Sequence, residues 1–409
     1  LLADWIKALS MDWAISRRRY YATEIPLWYC KNCQGTIVPP KGKYYRPWKE
    51  KPPVEKCPRC GNIEFTPETR VFDTWFDSSI SPLYILKYGD DALGAGLPCS
   101  LRPQGKEIIR TWLYYSLLRA YQLTGKPAFE NAWIHYHVLD ENGIKMSKSL
   151  GNAIDPNDAL DKYGAEPFRI WCALEGNITE DDIRCSNERI EAGLKFLTKL
   201  WNVARFISMF PKPKSGKADL QVLDKWILKE VNSLTKAIME NYDSFNFNRP
   251  AQELKHFIWE TFASHYLELV KMRAYNQDGQ FARAQQQAAI YTLYHVMERM
   301  LLLLSPIACF ATHKIYKDIW GGEIGKQKFP VHDKKISAWK LSFNNEDILG
   351  LNSRIWKHKK DKGLSLKAPI KTLIIHRKFK PIEGDLKLAH NVESLEYGTR
   401  FHITFGGKN

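Results

Sequence analysis

The run Gly143-Ile144-Lys145-Met146-Ser147-Lys148-Ser149-Leu150-Gly151-Asn152 sets two lysines three positions apart among glycines and small hydroxylated residues. Two cations and several hydrogen-bond donors thus converge within one loop. Such a loop can fold over a triphosphate, its lysines neutralising the charge that grows on pyrophosphate as it leaves. The alternative for any short basic loop is a solvated Lys/Ser turn. Directly before it, Ala132-Trp133-Ile134-His135-Tyr136-His137-Val138-Leu139 reads as a strand, and Ile108-Ile109-Arg110-Thr111-Trp112-Leu113-Tyr114-Tyr115 further upstream as a helix. Alternating strand and helix predicts an α/β unit with a parallel sheet.

The 409 residues around this loop suffice for two to four domains, and 44% hydrophobic residues is the share of an ordinary globular protein. Lys plus Arg number 60 against 45 Asp plus Glu, a formal charge of +15, which suits a phosphate-bearing partner as well as a merely soluble basic protein. The longest apolar run, Met300 to Leu304, is too short to span a membrane and reads as a buried helix. The first residues, Leu1-Leu2-Ala3-Asp4-Trp5, lack an initiator Met and a signal pattern, so the chain reads as part of something longer or processed, and as cytoplasmic.

Four of the eight cysteines form two knuckles, Cys30-Lys31-Asn32-Cys33 and Cys57-Pro58-Arg59-Cys60, each followed closely by glycine. Four thiolates can close a tetrahedral structural zinc site; a redox pair or unrelated thiols are the alternatives. Cys99, Cys172, Cys185 and Cys309 have no partner spacing, which argues against a disulfide framework.

Residues 1–70 form a small loop-rich module, and 71–150 the α/β unit ending in the lysine loop. Helix signals dominate 151–218, closing on the linker Pro211-Lys212-Pro213-Lys214-Ser215-Gly216-Lys217. Residues 219–345 carry helices of bundle length, Leu223 to Tyr242, Arg249 to Arg273 and Arg283 to Leu304, and 346–409 a small basic α/β tail.

The loop resembles the Lys-Met-Ser-Lys-Ser signature of class I aminoacyl-tRNA synthetases at all five positions, Lys145, Met146, Ser147, Lys148 and Ser149. Asp12-Trp13-Ala14-Ile15-Ser16-Arg17-Arg18-Arg19-Tyr20 with Ala22-Thr23-Glu24-Ile25-Pro26 resembles the end of the editing insertion in the valyl and isoleucyl members, Arg18 and Glu24 departing from the pattern. Leu101-Arg102-Pro103-Gln104, leading to Ile108 through Trp112, and His137-Val138-Leu139-Asp140 look most like the archaeal-type valyl branch. Further similarities, at Lys162-Tyr163-Gly164-Ala165-Glu166, Trp201-Asn202 and Leu364 through Pro369, carry the resemblance over nearly the whole chain.

The resemblance implies the second half of a Rossmann-like catalytic domain with a zinc ribbon, then an all-α anticodon-binding bundle and an α/β tail. It implies activation of valine by ATP, with magnesium, and transfer to tRNA(Val). Isoleucyl enzymes and a noncatalytic tRNA-binding derivative are the alternatives. Lys145 and Lys148 match the phosphate-holding lysines. His137 and Val138 fall beside adenine, although relatives usually carry glycine at Tyr136 and often histidine at Lys106. Trp75, Asp77, Gln104, Thr111 and Trp112 wall the amino-acid pocket, an apolar cage that separates valine from isoleucine by only about 1–3 kcal/mol. His265, Tyr266, Lys271 and Arg273 are candidates for tRNA contact. The His-x-Gly-His signature of the first half of the nucleotide fold is missing, so an N-terminal half supplied separately, or removed, is the expected partner.

Overall fold

Two units divide the chain, Leu1–Tyr136 and His137–Asn409, in a computed structural model describing residues 2–87, 96–177, 180–213 and 218–406. Lys214-Ser215-Gly216-Lys217 of the expected linker and Gly407-Lys408-Asn409 of the tail lie outside the described residues.

In the first unit a short helix (Leu2–Lys7) and a two-residue strand (Ser16–Arg17) precede a small antiparallel sheet: β1 (Trp28–Cys30), β2 (Thr36–Ile37) and β3 (Phe65–Pro67), in the order β2-β1-β3. Asp73 then starts α1 (Thr74–Ser78), its carboxylate accepting the Trp75 N–H at 3.1 Å, which satisfies one of the helix's open donors. Next come β4 (Cys99–Gly105), a 3₁₀ turn, a π-helical turn over Ile109–Leu113, α2 (Tyr114–Thr124) and β5 (Phe129–His135). β4 and β5 pair in parallel, Leu101 opposite Asn131 and Gln104 opposite Ile134, as alternating strand and helix predict.

The strand expected over 132–139 is divided. β5 ends at His135, whereas β6 (Val138–Leu139) pairs in parallel with β7 (Ile183–Arg184) in the second unit. The division follows from chemistry distant in sequence: the Asp182 carboxylate accepts the His137 N–H at 2.7 Å.

Helices fill the second unit: α3 (Pro156–Tyr163), α4 (Ala165–Leu174), α5 (Asn187–Ser208) and α6 (Val222–Asp243). α7 (Asn248–His256) widens into a π-helix over Phe257–Tyr266 and resumes as α8 (Leu267–Tyr275), followed by α9 (Arg283–Leu304), α10 (Cys309–Trp320) and α11 (Asn345–Asp361). Their starts are written in the sequence. Ser186 accepts the Arg189 N–H ahead of α5, and Asn344 and Asp347 exchange side-chain and backbone bonds ahead of α11. Met300 through Leu304 are all buried, which accounts for the apolar run, and no described helix is long and apolar enough to cross a membrane. In the tail, β8 (Ile370–Ile375) lies between parallel β9 (Val392–Tyr397) and antiparallel β10 (His402–Thr404), with α12 (Glu383–His390) in the crossover.

α11 carries a lysine into the interior. Lys359 is fully buried, and its Nζ donates to the carbonyls of Leu366 at 2.8 Å and His390 at 2.9 Å, two bonds that a neutral amine can also make. Burial brings its pKa down to about 8, below the ordinary lysine value near 10.4. Between those values the unfolded chain binds a proton that the folded chain does not, so this group makes stability rise with pH. Denaturant titrations from pH 8 to 10 should show that rise in the parent, and Lys359→Met should remove it; an unchanged slope would refute the assignment.

Candidate functional site

The lysine loop is built on a turn. Leu139 bridges to Lys145, and between them the Asp140 carbonyl accepts the Gly143 N–H at 3.0 Å while Gly143 holds φ at 81°, a conformation open to glycine. The Asp140 carboxylate gathers the loop, accepting the N–H groups of Asn142 at 3.0 Å and Ile144 at 2.8 Å and the Asn152 amide at 2.9 Å. Asn152 in turn accepts the Ser147 N–H at 3.0 Å, so Asp140 and Asn152 clamp both ends. The Asn152 and Ile144 bonds hold the Asp140 carboxyl below the usual carboxylate range. Ser147 Oγ caps the 3₁₀ turn Lys148–Leu150 and lies 3.0 Å from Ser149 Oγ. Lys145 and Lys148 are exposed, and among the described residues no carboxylate pairs with either.

His137 and Val138 divide into two roles. His137 donates its N–H to Asp182, and its carbonyl accepts the Ile183 N–H at 3.0 Å. Leu139 also faces β7, accepting from Cys185 at 2.9 Å, so strand alternation turns the Val138 N–H and C=O to the opposite edge. Of the two, Val138 is the one whose main chain is not taken up by β7.

In the first unit the capped helix α1 carries Trp75 and Asp77, both half-buried. The Trp112 indole N–H is shared between the Ser78 carbonyl at 3.1 Å and Ser81 Oγ at 3.3 Å, which locks the π-helical turn bearing Thr111 and Trp112 against α1. Gln104, buried on β4, has no hydrogen-bond partner for its Oε1. This is an acceptor in want of a donor.

The sequence motif included Arg102 without giving it a role. Two positions before Gln104 on the same strand face, it is 5% exposed, stacked on Trp112 at 3.3 Å from the ring centroid and 4.7 Å from that of Phe129, with no hydrogen-bond partner for its guanidinium. Burial lowers its pKa to about 10. The aromatic faces compensate part of that cost, and Arg102 holds one face of Trp112 in place. The i, i+2 spacing on a strand was the available signal.

Two of the departures from the family pattern meet. Lys106 Nζ lies over the Tyr136 ring, 4.2 Å from its centroid. A third, Glu24, is taken up by Arg46 at 3.4 Å and by the Tyr44 hydroxyl.

Cys30, Cys33, Cys57 and Cys60 converge, their sulfurs all within 4.8 Å of one another, and this group can hold a metal ion. Cys30 and Cys60 lie 3.5 Å apart and Cys33 and Cys57 3.6 Å, far beyond a disulfide bond and near the edge of about 3.8 Å that four sulfurs have around zinc at ~2.3 Å. The N–H groups of Cys33 and Asn32 lower the pKa of the Cys30 thiol, while burial and the thiols of Cys60 and Cys57 raise that of Cys33.

Three of the four candidate tRNA contacts are corrected by burial. Tyr266 and Arg273 are essentially inaccessible, and His265 is 4% exposed. His265 pairs with Asn352 at 3.3 Å, burial lowering its pKa to about 4, and Tyr266 and Arg273 bond Asp224. Lys271 is partly exposed and pairs with Glu268. His265, Tyr266 and Arg273 therefore hold helices together and offer no RNA surface, while Lys271 stays on the surface of its helix.

Residues 2–185 match the family model for class I tRNA synthetases (I, L, M and V), and residues 224–374 the anticodon-binding domain of tRNA ligase. The chain is 41% identical to the valine–tRNA ligase of Aeropyrum pernix, covering 97% of this chain and 49% of that protein. It is 42% identical to those of Pyrobaculum aerophilum (97% and 50%) and Nanoarchaeum equitans (96% and 50%). The chain thus spans about half the length of the curated relatives it matches. Among solved structures, the fold is shared with Agrobacterium radiobacter LeuRS in its ternary complex with tRNA and LeuAMS (TM-score 0.61, 18% identity, 91% of this chain and 52% of that one). It is also shared with Mycobacterium tuberculosis methionyl-tRNA synthetase in complex with methionyl-adenylate (TM-score 0.55, 19% identity, 77% and 56%).

Proposed function

Because the chain belongs to the class I tRNA synthetases, we propose that it is the C-terminal portion of a valine–tRNA ligase, working in the cytoplasm with an N-terminal half that completes the ATP site. The lysine loop supports this most directly: Asp140 and Asn152 clamp it, leaving Lys145 and Lys148 exposed without protein counter-ions. ATP, with magnesium, lies with its phosphates against Lys145 and Lys148 and its base against the Val138 main chain. Valine's carboxylate attacks the α-phosphorus, forming valyl-adenylate as pyrophosphate leaves. The lysines stabilise the charge gathering on pyrophosphate, and Met146, Ser147 and Ser149 complete the loop. Trp75 and Trp112 enclose the isopropyl group, with Asp77 and Thr111 on the same wall; the free Gln104 Oε1 accepts from a substrate N–H. The acyl group then passes to the terminal ribose of tRNA(Val). Zinc, held by Cys30, Cys33, Cys57 and Cys60, braces the module of residues 1–70 and takes no part in the chemistry, four thiolates leaving no open position.

The test is valine-dependent ATP–pyrophosphate exchange, run on this chain alone and with the N-terminal half supplied, isoleucine serving as the control amino acid. Exchange only on mixing is expected. Lys148→Ala in the mixed enzyme should slow exchange by about a hundredfold, the order of one transition-state charge contact, while tRNA binding persists. A rate equal to the parent's would remove the loop from the mechanism. Silence in every combination, with tRNA still bound, would favour the noncatalytic derivative, for which the Lys106–Tyr136 pair is the supporting departure.

A further inference from the structure

β4 and β5 run parallel and end in register, Gly105 opposite His135, so the residues that follow them, Lys106 and Tyr136, leave the sheet side by side. Both stand at the carboxyl ends of parallel strands, the end of an α/β sheet where ligands bind. Neither side chain is loose there. The Lys106 ammonium lies 4.2 Å from the centroid of the Tyr136 ring, and a cation against one face of a ring fixes its orientation. The main chain is held as well, the Tyr136 carbonyl accepting from His135 Nδ1 at 3.0 Å. Tyr136 itself is half-buried. Two residues further on comes Val138, whose main chain β7 does not take up, and two residues of chain span at most about 7 Å.

We infer that Tyr136 is the platform on which the adenine of ATP stacks, with Lys106 a positioning residue that holds the ring from its other face. The inference rests on the proposed function, in which the base meets the Val138 main chain, and adds to it the residue that takes the face of the base. Main-chain N–H and C=O groups reach only the edge of adenine, where its donors and acceptors lie. A contact on the face is needed to fix its plane, and an aromatic ring supplies one. The ribose separates adenine from the α-phosphorus, so the stack is the same in the ground state and the transition state. It therefore lowers KM for ATP and leaves kcat alone.

The test is the ATP dependence of valine-stimulated ATP–pyrophosphate exchange, run on the full chain together with the N-terminal half. Tyr136→Ala should raise KM for ATP by about tenfold, the order of one lost base stack, with kcat and KM for valine held. A retained kcat shows that the variant is folded. Tyr136→Phe, which keeps the ring, should keep the parent's KM, and Lys106→Gln should raise it by less than Tyr136→Ala does. An unchanged KM in Tyr136→Ala would overturn the inference and leave the proposed function standing. So would a lower KM, since the ring would then obstruct the base, and so would a Tyr136→Phe variant as weak as Tyr136→Ala, since the hydroxyl and not the ring face would then be the contact. A fall in kcat at constant KM would overturn it too, by tying Tyr136 to the lysine loop. A parent silent in exchange would sink both readings.

Discussion

Arg273→Met is expected to lower the unfolding free energy of the second unit by about 3–5 kcal/mol, the range for stripping one partner from a buried ionic network. The guanidinium grips both oxygens of Asp224 at 2.8 and 2.9 Å, donates its Nε to Asp385 at 2.9 Å and reaches the Gln285 carbonyl at 3.1 Å. Asp224 is further bonded by the Tyr266 hydroxyl at 2.8 Å and, across the start of α6, by the Gln221 N–H at 3.0 Å. One side chain therefore ties α8 to α6, α9 and α12, joining the bundle to the tail. Methionine fills much of the volume but leaves two carboxylates in the interior without a cation.

The same network has a pH signature. Burial raises the Asp385 pKa to about 6, against Arg273, which lowers it. With the unfolded value near 3.9, the folded chain holds a proton between pH 4 and 6 that the unfolded chain has released, so this group makes stability fall as pH rises through that window. Losing Arg273 removes the opposing cation and pushes the carboxyl higher, so the variant's deficit should be larger at pH 8 than at pH 5. Urea titrations at the two pH values measure both effects. A deficit below about 1 kcal/mol at pH 8 would show that the network contributes no more than an exposed ion pair.

Arg273 also shows what sequence reading reaches. Its place on a helix follows from periodicity, but which face the helix buries is decided by Asp224 and Asp385, 49 and 112 residues away. Read without those partners, Arg273, Tyr266 and His265 look like an RNA surface, and with them they are core. The divided strand has the same cause, Asp182 lying 45 residues beyond His137. The lysine loop and the cysteine knuckles were legible because their chemistry is local: Asp140 through Asn152 close the loop within 12 residues, and each knuckle sets its own turn. Arg102 is intermediate, since its strand register was readable but the aromatic rings that hold it were not.

Removing the zinc proposed for the four cysteines should have the largest effect of any single change to the first unit. Between residues 26 and 70 the buried apolar side chains are few, Trp28, Ile37 and Pro47 beside the cysteines themselves, too little to offset the entropy of ordering some forty residues. Zinc bound by four thiolates contributes about 10–16 kcal/mol in small metal-nucleated domains, and that energy becomes folding energy because the unfolded segment has no preformed site. Cys57→Ser replaces one thiolate with a hydroxyl that stays protonated and binds zinc poorly. The variant should lose its one equivalent of zinc, read by native mass spectrometry. Amide protection should collapse over 28–67, where the Cys30 carbonyl accepts the Gln34 N–H and the Cys57 carbonyl that of Gly61. The helices of the second unit should keep theirs, because their core is made within residues 170–395. Retention of zinc in Cys57→Ser, or its loss with amide protection unchanged over 28–67, would show that the module stands without the metal.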